Sequence, residues 1–471
     1  MRPSRIISLL LLVVCAVYYG FYILTSEGFF GGGDSLAHYR IAKFSLEHPI
    51  WLLNHWGKPF FTLMVFPFAQ FGFKGIQIFN LVVGIVTCLL AIDICRKNNW
   101  GNGWLAIPII LFTPIYFQGF FSGLTEAAFA MLTLLAVWFR LKNRYVLSLI
   151  LLSFLPMVRT EAVLFLAWFG LLELVERRIK TLPLLLTGTL IYSLVGWWAK
   201  GDILWLINEM PYSGGSSIYG SGSLTHYFQL MPEKIGWAAI CVAVIGIVFL
   251  GLGLAKRETN SLWLAANILV PAVIYLLFHS VMWYVGKVSA GLPRILAVLV
   301  PFLAIVAVYA VHQVGNLFNS KLVPSGIAVV LSLLVVWNGY SSVRLPVDLG
   351  QEEKVLQRVA DYINENDLNE NKIHYFALYN EVTLGLDPHY PEQCQQVIHT
   401  RAEPHINVEA NSLVIYDMHF APNEGQMPLE NLTSSPYFEL LEVFEPETPF
   451  NTIGDKPYKV YLFFRKDITL P

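Results

Sequence analysis

Read from the N-terminus, the chain alternates long apolar runs with short charged stretches until about residue 343, and then changes character. An apolar run of roughly 18 to 20 residues is enough to cross a bilayer as a helix. About eleven runs meet that test, centred near Val14, Val83, Ile110, Leu132, Leu151, Trp168, Ile191, Val244, Val270, Ala304 and Val330. The first, residues 6–24, follows Arg2 and Arg5. No small-residue cleavage site lies behind it, so it is expected to remain as an anchor.

Beyond residue 343 the periods shorten. Residues 351–366 place Val355, Leu356, Val359 and Ile363 at helical spacing, whereas 372–378, 412–420 and 458–464 read as strands. The expected fold class is an α-helical polytopic membrane protein with about 11 transmembrane helices and a small C-terminal α/β soluble domain. The expected division is 1–342 and 343–471.

Composition sharpens this picture. Charged residues make up 14% of the chain, against about a quarter in ordinary soluble domains. The formal net charge of −2 argues against nucleic acid as a partner. Basic residues at Arg96-Lys97, Arg140/Lys142/Arg144, Arg177-Arg178/Lys180 and Lys256-Arg257 fall in alternate loops, in phase with the N-terminus. By the positive-inside rule these loops are cytoplasmic, and an odd number of spans puts the tail on the other side. Of the five cysteines none has zinc or disulfide spacing, so buried thiols are expected.

The candidate chemistry gathers on the outward side. The first outward loop runs through Gly31-Gly32-Gly33-Asp34, His38-Tyr39 and Lys58-Pro59. Glu126, Arg159, Lys287 and Arg294 fall on the same side, Glu126 opening a span and Arg159 at a bend. Ionisable residues at a membrane rim are costly and are functional candidates for that reason. A carboxylate there can take a proton from a hydroxyl. Asp34 can equally cap a helix, and the basic residues can snorkel to headgroups. Glu161 reads as a partner for Arg159. Asp387-Pro388-His389 and His399 lack regular metal-ligand spacing, and Asn431-Leu432-Thr433 is a glycosylation sequon.

The ordered set resembles GT-C glycosyltransferases of the protein O-mannosyltransferase and lipid A aminoarabinose transferase type. Asp34 matches their leading acid, followed by His38-Tyr39 and closed by Lys58-Pro59. Glu126 stands where the second outward acid falls, Arg159 at the basic bend, and Lys287, Arg294 and Pro301 along the family's Arg-Tyr…Pro segment. Ser35 replaces the usual second acid, Ala37 an arginine of the aminoarabinose enzymes, and Ile295 the tyrosine.

The resemblance implies an inverting glycosyltransferase with a polyprenyl-phosphate-linked sugar as donor, a glycan, lipid or protein as acceptor, and membrane lipid as surroundings. Asp34 and Glu126 would be catalytic. Lys58, Arg294, Arg159 and Lys287 would bind the donor phosphate, and His38 and Tyr39 the substrate. A leaving phosphate that is already a stable anion can be held by basic side chains alone. No Asp-x-Asp lies on the outward side, so no metal or other cofactor is expected. The expected setting is a bacterial inner membrane, with site and tail facing the periplasm. The alternative, a transporter or flippase of lipid-linked sugars, would show inverted repeats and mid-membrane charges, and neither is visible in the sequence.

Overall fold

The computed structural model describes residues 3–211, 220–320, 322–453 and 455–468. Arg2 and residues 212–219 lie outside them.

Every one of the eleven expected centres lies in a helix. Among the described residues, seven helices are by themselves long and apolar enough to span a membrane: Ile6–Thr25, Phe73–Lys97, Ile179–Lys200, Trp237–Ala255, Thr259–Val285, Pro293–Leu317 and Leu322–Ser342. An eighth span results if Gly103–Phe112 and Pro114–Phe120 count as one, bent by 71°. Pro114 lacks the amide that would continue the ladder, which accounts for the bend. The other three expected spans are shorter helices, Glu126–Leu141, Tyr145–Phe154 and Val163–Val175. Thirteen residues rise only about 20 Å. The hydrophobic run continues where the helix does not, because charged residues break it at Arg159–Ala162.

Prolines shape the longer spans as well. Thr259–Val285 contains a π-turn at Ala265–Leu269, just before Pro271; a wider turn accommodates the missing donor. Large apolar side chains stay exposed along the outer helices, among them Leu10, Val14, Val17, Leu333 and Trp337. In water such a face would be an aggregation surface; here it faces lipid. The protein is an integral membrane protein.

The tail carries a five-stranded sheet. Its strands are β1 Ile373–Tyr375, β2 Cys394–Gln396, β3 Leu413–Asp417, β4 Phe438–Phe444 and β7 Val460–Arg465, while β5 Asn451–Thr452 and β6 Lys456–Pro457 form a separate hairpin. The order is β2-β1-β3-β7-β4, parallel through the first three and antiparallel at β7 and β4. All five residues of β3 are buried, as a central strand covered on both faces requires. The helix Gln351–Glu365 buries Val355, Leu356, Val359, Ala360 and Ile363 and leaves its charged face to solvent.

The chain divides into two compact units, one containing His38–Val347 with the first helix, the other containing Glu27–Ala37 and the chain from Asp348 onward. Hydropathy gives no hint that Glu27–Ala37 belongs with the tail. Gly28 is pressed against the backbone at Asp348 so closely that no side chain would fit. The Phe29 ring lies 6.1 Å from that of Tyr379, tilted by 32°.

Candidate active site

In the membrane unit the structure gathers Glu126, which is buried, with the partly buried Arg159, Glu161 and Arg294 into one cluster. Glu126 is the first residue of its helix, where the helix dipole favours a carboxylate. Arg159 is extended between two short 3₁₀ turns, Leu155–Met157 and Thr160–Ala162. Its guanidinium donates to Glu126 Oε1 at 2.5 Å, to Glu161 Oε1 at 2.7 Å and to Thr125 Oγ1 at 3.2 Å. Arg294 Nε stands 3.2 Å from the same Glu126 oxygen. The other oxygen of Glu126 is buried and has no hydrogen-bond partner.

Aromatic and imidazole groups complete the surroundings. His279 Nε2 lies 3.4 Å from Glu161 Oε1, at ion-pair distance but without hydrogen-bond geometry. The Tyr275 ring packs 4.6 Å from the His279 ring, and its buried hydroxyl has no hydrogen-bond partner. Tyr227 lies 6.2 Å from His279 and bonds Ser289 Oγ at 3.0 Å. Sequence reasoning missed His279, Tyr275 and Tyr227. The available signal was the polar pair His279-Ser280 inside an otherwise apolar run.

The remaining expected residues are placed differently. Lys58 is buried at the start of the helix Pro59–Ala69 with φ of 63°, strained for a residue that has a Cβ. Its charge, after burial, helps to push His55 below the usual histidine value. Lys287 is exposed in the turn after the helix Val270–Val285. His38 packs between Trp56 and Phe61 at 5.0 and 5.3 Å, and Tyr39 against Phe73 at 5.6 Å.

Asp34 lies in the other unit. It is half-buried in the first turn of the helix Gly32–Phe44. Gly31 and Gly32 have φ of 91° and 50°, so the turn into this helix uses a backbone region that glycine reaches without strain. Ser35 Oγ donates to Phe30 O at 2.7 Å and closes that turn.

The architecture is a polytopic helical membrane unit with an α/β tail. Two solved structures share the fold over nearly the whole chain. The crystal structure of ArnT from Cupriavidus metallidurans bound to undecaprenyl phosphate matches with a TM-score of 0.62 and 11% identity, over 96% of this chain and 97% of that one. ArnT from Cupriavidus metallidurans in the apo state matches with a TM-score of 0.62 and 12% identity, over 98% of each chain. No protein-family model and no curated protein matches the sequence.

Proposed function

We propose that the protein is an inverting glycosyltransferase that moves a sugar from a polyprenyl-phosphate carrier to an acceptor on the periplasmic face. The Glu126–Arg159–Glu161–Arg294 cluster carries this reading. Drawing four charges largely out of water in a membrane protein is costly unless they are paired and used. The shared fold with an ArnT that was solved bound to undecaprenyl phosphate supports a lipid carrier as donor.

In the proposed reaction Asp34 takes the acceptor's proton as its oxygen attacks the anomeric carbon. The bond to the carrier breaks, and its electron pair stays on the polyprenyl phosphate. With one base and no covalent nucleophile, the configuration inverts. Lys58 and Arg294 hold the leaving phosphate electrostatically, with no step that requires a metal. Arg159 already engages two carboxylates, so its role here is to hold Glu126 rather than the phosphate. Glu126 is the second acid, and Lys287 lends its charge from the exposed turn. His38 and Tyr39 act through the aromatic packing that shapes the loop.

Binding of polyprenyl phosphate to purified protein tests the phosphate assignment without requiring turnover. Lys58→Ala and Arg294→Ala should each weaken it by roughly ten- to a hundredfold, since a charge-assisted contact is worth about 1.5–3 kcal/mol. Unchanged affinity in both variants would remove these residues from the phosphate site.

A further inference from the structure

His279 closes one end of a row of charged groups in the membrane unit. Its Nε2 stands 3.4 Å from Glu161 Oε1. The same Glu161 oxygen accepts from Arg159 Nε at 2.7 Å, and Arg159 Nη1 donates to Glu126 Oε1 at 2.5 Å. Arg294 Nε lies 3.2 Å from that Glu126 oxygen. The row therefore runs His279, Glu161, Arg159, Glu126, Arg294, each member beside the next. Two carboxylates face two guanidinium groups, so the row is balanced while the imidazole is neutral. The His279 side chain is only 8% exposed, and its Nε2 makes no hydrogen bond. Arg294, at 27%, is the end of the row that a ligand reaches.

The other groups on the elements around His279 are aromatic or already paired. Tyr275, one turn back on the same helix, packs edge-on at 4.6 Å. Tyr227, on the helix His226–Lys234, lies at 6.2 Å with its hydroxyl on Ser289. On that helix His226 Nε2 engages Gly291 O at 2.8 Å, and Glu233 pairs with Lys234. The 3₁₀ segment Pro293–Leu299, which packs against the His279 helix, brings Arg294 with its contact to Glu126. The helix Val163–Val175 brings Phe165, stacked on Tyr275, and Glu173, held by Arg178 Nε at 2.8 Å.

A phosphate that engages Arg294 draws its charge away from Glu126, whether the guanidinium turns or bridges. Glu126 and Glu161 then share the single charge of Arg159, and the inner row is left short of one positive charge. Lys58 answers the charge of the phosphate itself and leaves that deficit in place. An uncompensated charge held out of water is costly, and imidazole is the side chain that takes up a proton near neutral pH. Resting on the proposed role of Arg294 in holding the phosphate, we infer that binding of the carrier phosphate loads one proton from solvent onto the His279 imidazole. The imidazolium pairs with Glu161 and leaves Arg159 to Glu126. When the phosphate departs, Arg294 returns to Glu126 and the proton goes back to solvent. His279 touches neither sugar nor phosphate; it is a positioning residue that keeps Arg159 on Glu126 while Arg294 is engaged.

The probe is the methyl ester of polyprenyl phosphate, which carries one phosphate charge and no group that titrates near neutral pH. Its binding to the full-length protein in detergent is followed by calorimetry in two buffers of different ionisation enthalpy, which counts the protons taken up. A proton gained on binding makes binding tighter at low pH and weaker as pH rises. The wild type should take up about half a proton or more near pH 7, and its affinity should fall about threefold or more per pH unit between about pH 6 and 8. His279→Gln keeps a neutral donor beside Glu161 and should bind with no proton uptake and no such slope. Arg294→Ala should bind more weakly and also without uptake. A wild type that binds without taking up a proton would overturn the inference and leave the phosphate assignment standing. Uptake that persists in His279→Gln would overturn it too, and would place the proton on Glu126, whose second oxygen is buried without a partner. If His279→Gln does not fold, equal uptake in the wild type and Arg294→Ala overturns it. An affinity that Arg294→Ala leaves unchanged would remove the phosphate assignment itself, and the inference with it.

Discussion

Asp34→Asn should bind polyprenyl phosphate as the wild type does and turn the sugar donor over about 10²–10⁴-fold more slowly, the usual worth of a positioned base. The substitution keeps size and polarity and removes only the proton acceptor. It also separates two readings of the residue. Asp34 sits in the first turn of its helix, where an acid stabilises the dipole by about 0.3–1 kcal/mol and Asn caps nearly as well. A residue that only starts the helix would therefore leave turnover close to normal. Measured on folded protein, near-normal turnover would end the case for Asp34 and move the role of base to Glu126, whose second oxygen is buried without a partner.

The second large effect is on stability. Arg159→Ala removes the guanidinium that bridges Glu126 and Glu161, and leaves Arg294 beside Glu126. Removing one member of a buried ionic cluster costs roughly 3–5 kcal/mol. The variant should melt at lower temperature in detergent and give less folded protein. Adding Glu161→Gln should restore part of the loss, because the orphaned charge, rather than the missing contact, dominates the cost. A melting temperature equal to wild type would mean that water or lipid headgroups reach the cluster freely.

Much of the membrane unit could be read from hydropathy because lipid leaves the backbone little choice but helix. What hydropathy could not see is where helices stop inside an apolar run. The stretch from Tyr145 to Val175 is apolar enough to suggest two spans, yet Arg159 is extended between two 3₁₀ turns where it meets Glu126, so both helices end short. The same residues were visible as charges out of place. Their meeting was not, since Glu126 and Arg159 are 33 positions apart. His279 and Tyr275 stayed hidden because each looks like one polar group in a long apolar helix.

The tail was legible where periods are clean, as in the helix Gln351–Glu365 and in β1, β3 and β7. It was not legible at β2, whose Cys394-Gln395-Gln396 carries no apolar alternation. Nor was it legible at β4, where the register shifts between Leu440 and Glu442 and the period of two slips.

The central claim is that this protein breaks the bond between a sugar and a polyprenyl phosphate. The most direct measurement incubates the purified full-length protein in detergent with a panel of polyprenyl-phosphate sugars and candidate acceptors and follows release of free polyprenyl phosphate. The account predicts release with at least one donor, without a second membrane compartment, together with loss of release in Asp34→Asn. A wild-type protein that binds the carrier-linked sugars, releases no polyprenyl phosphate from any of them, and moves them across the bilayer of sealed vesicles would contradict it.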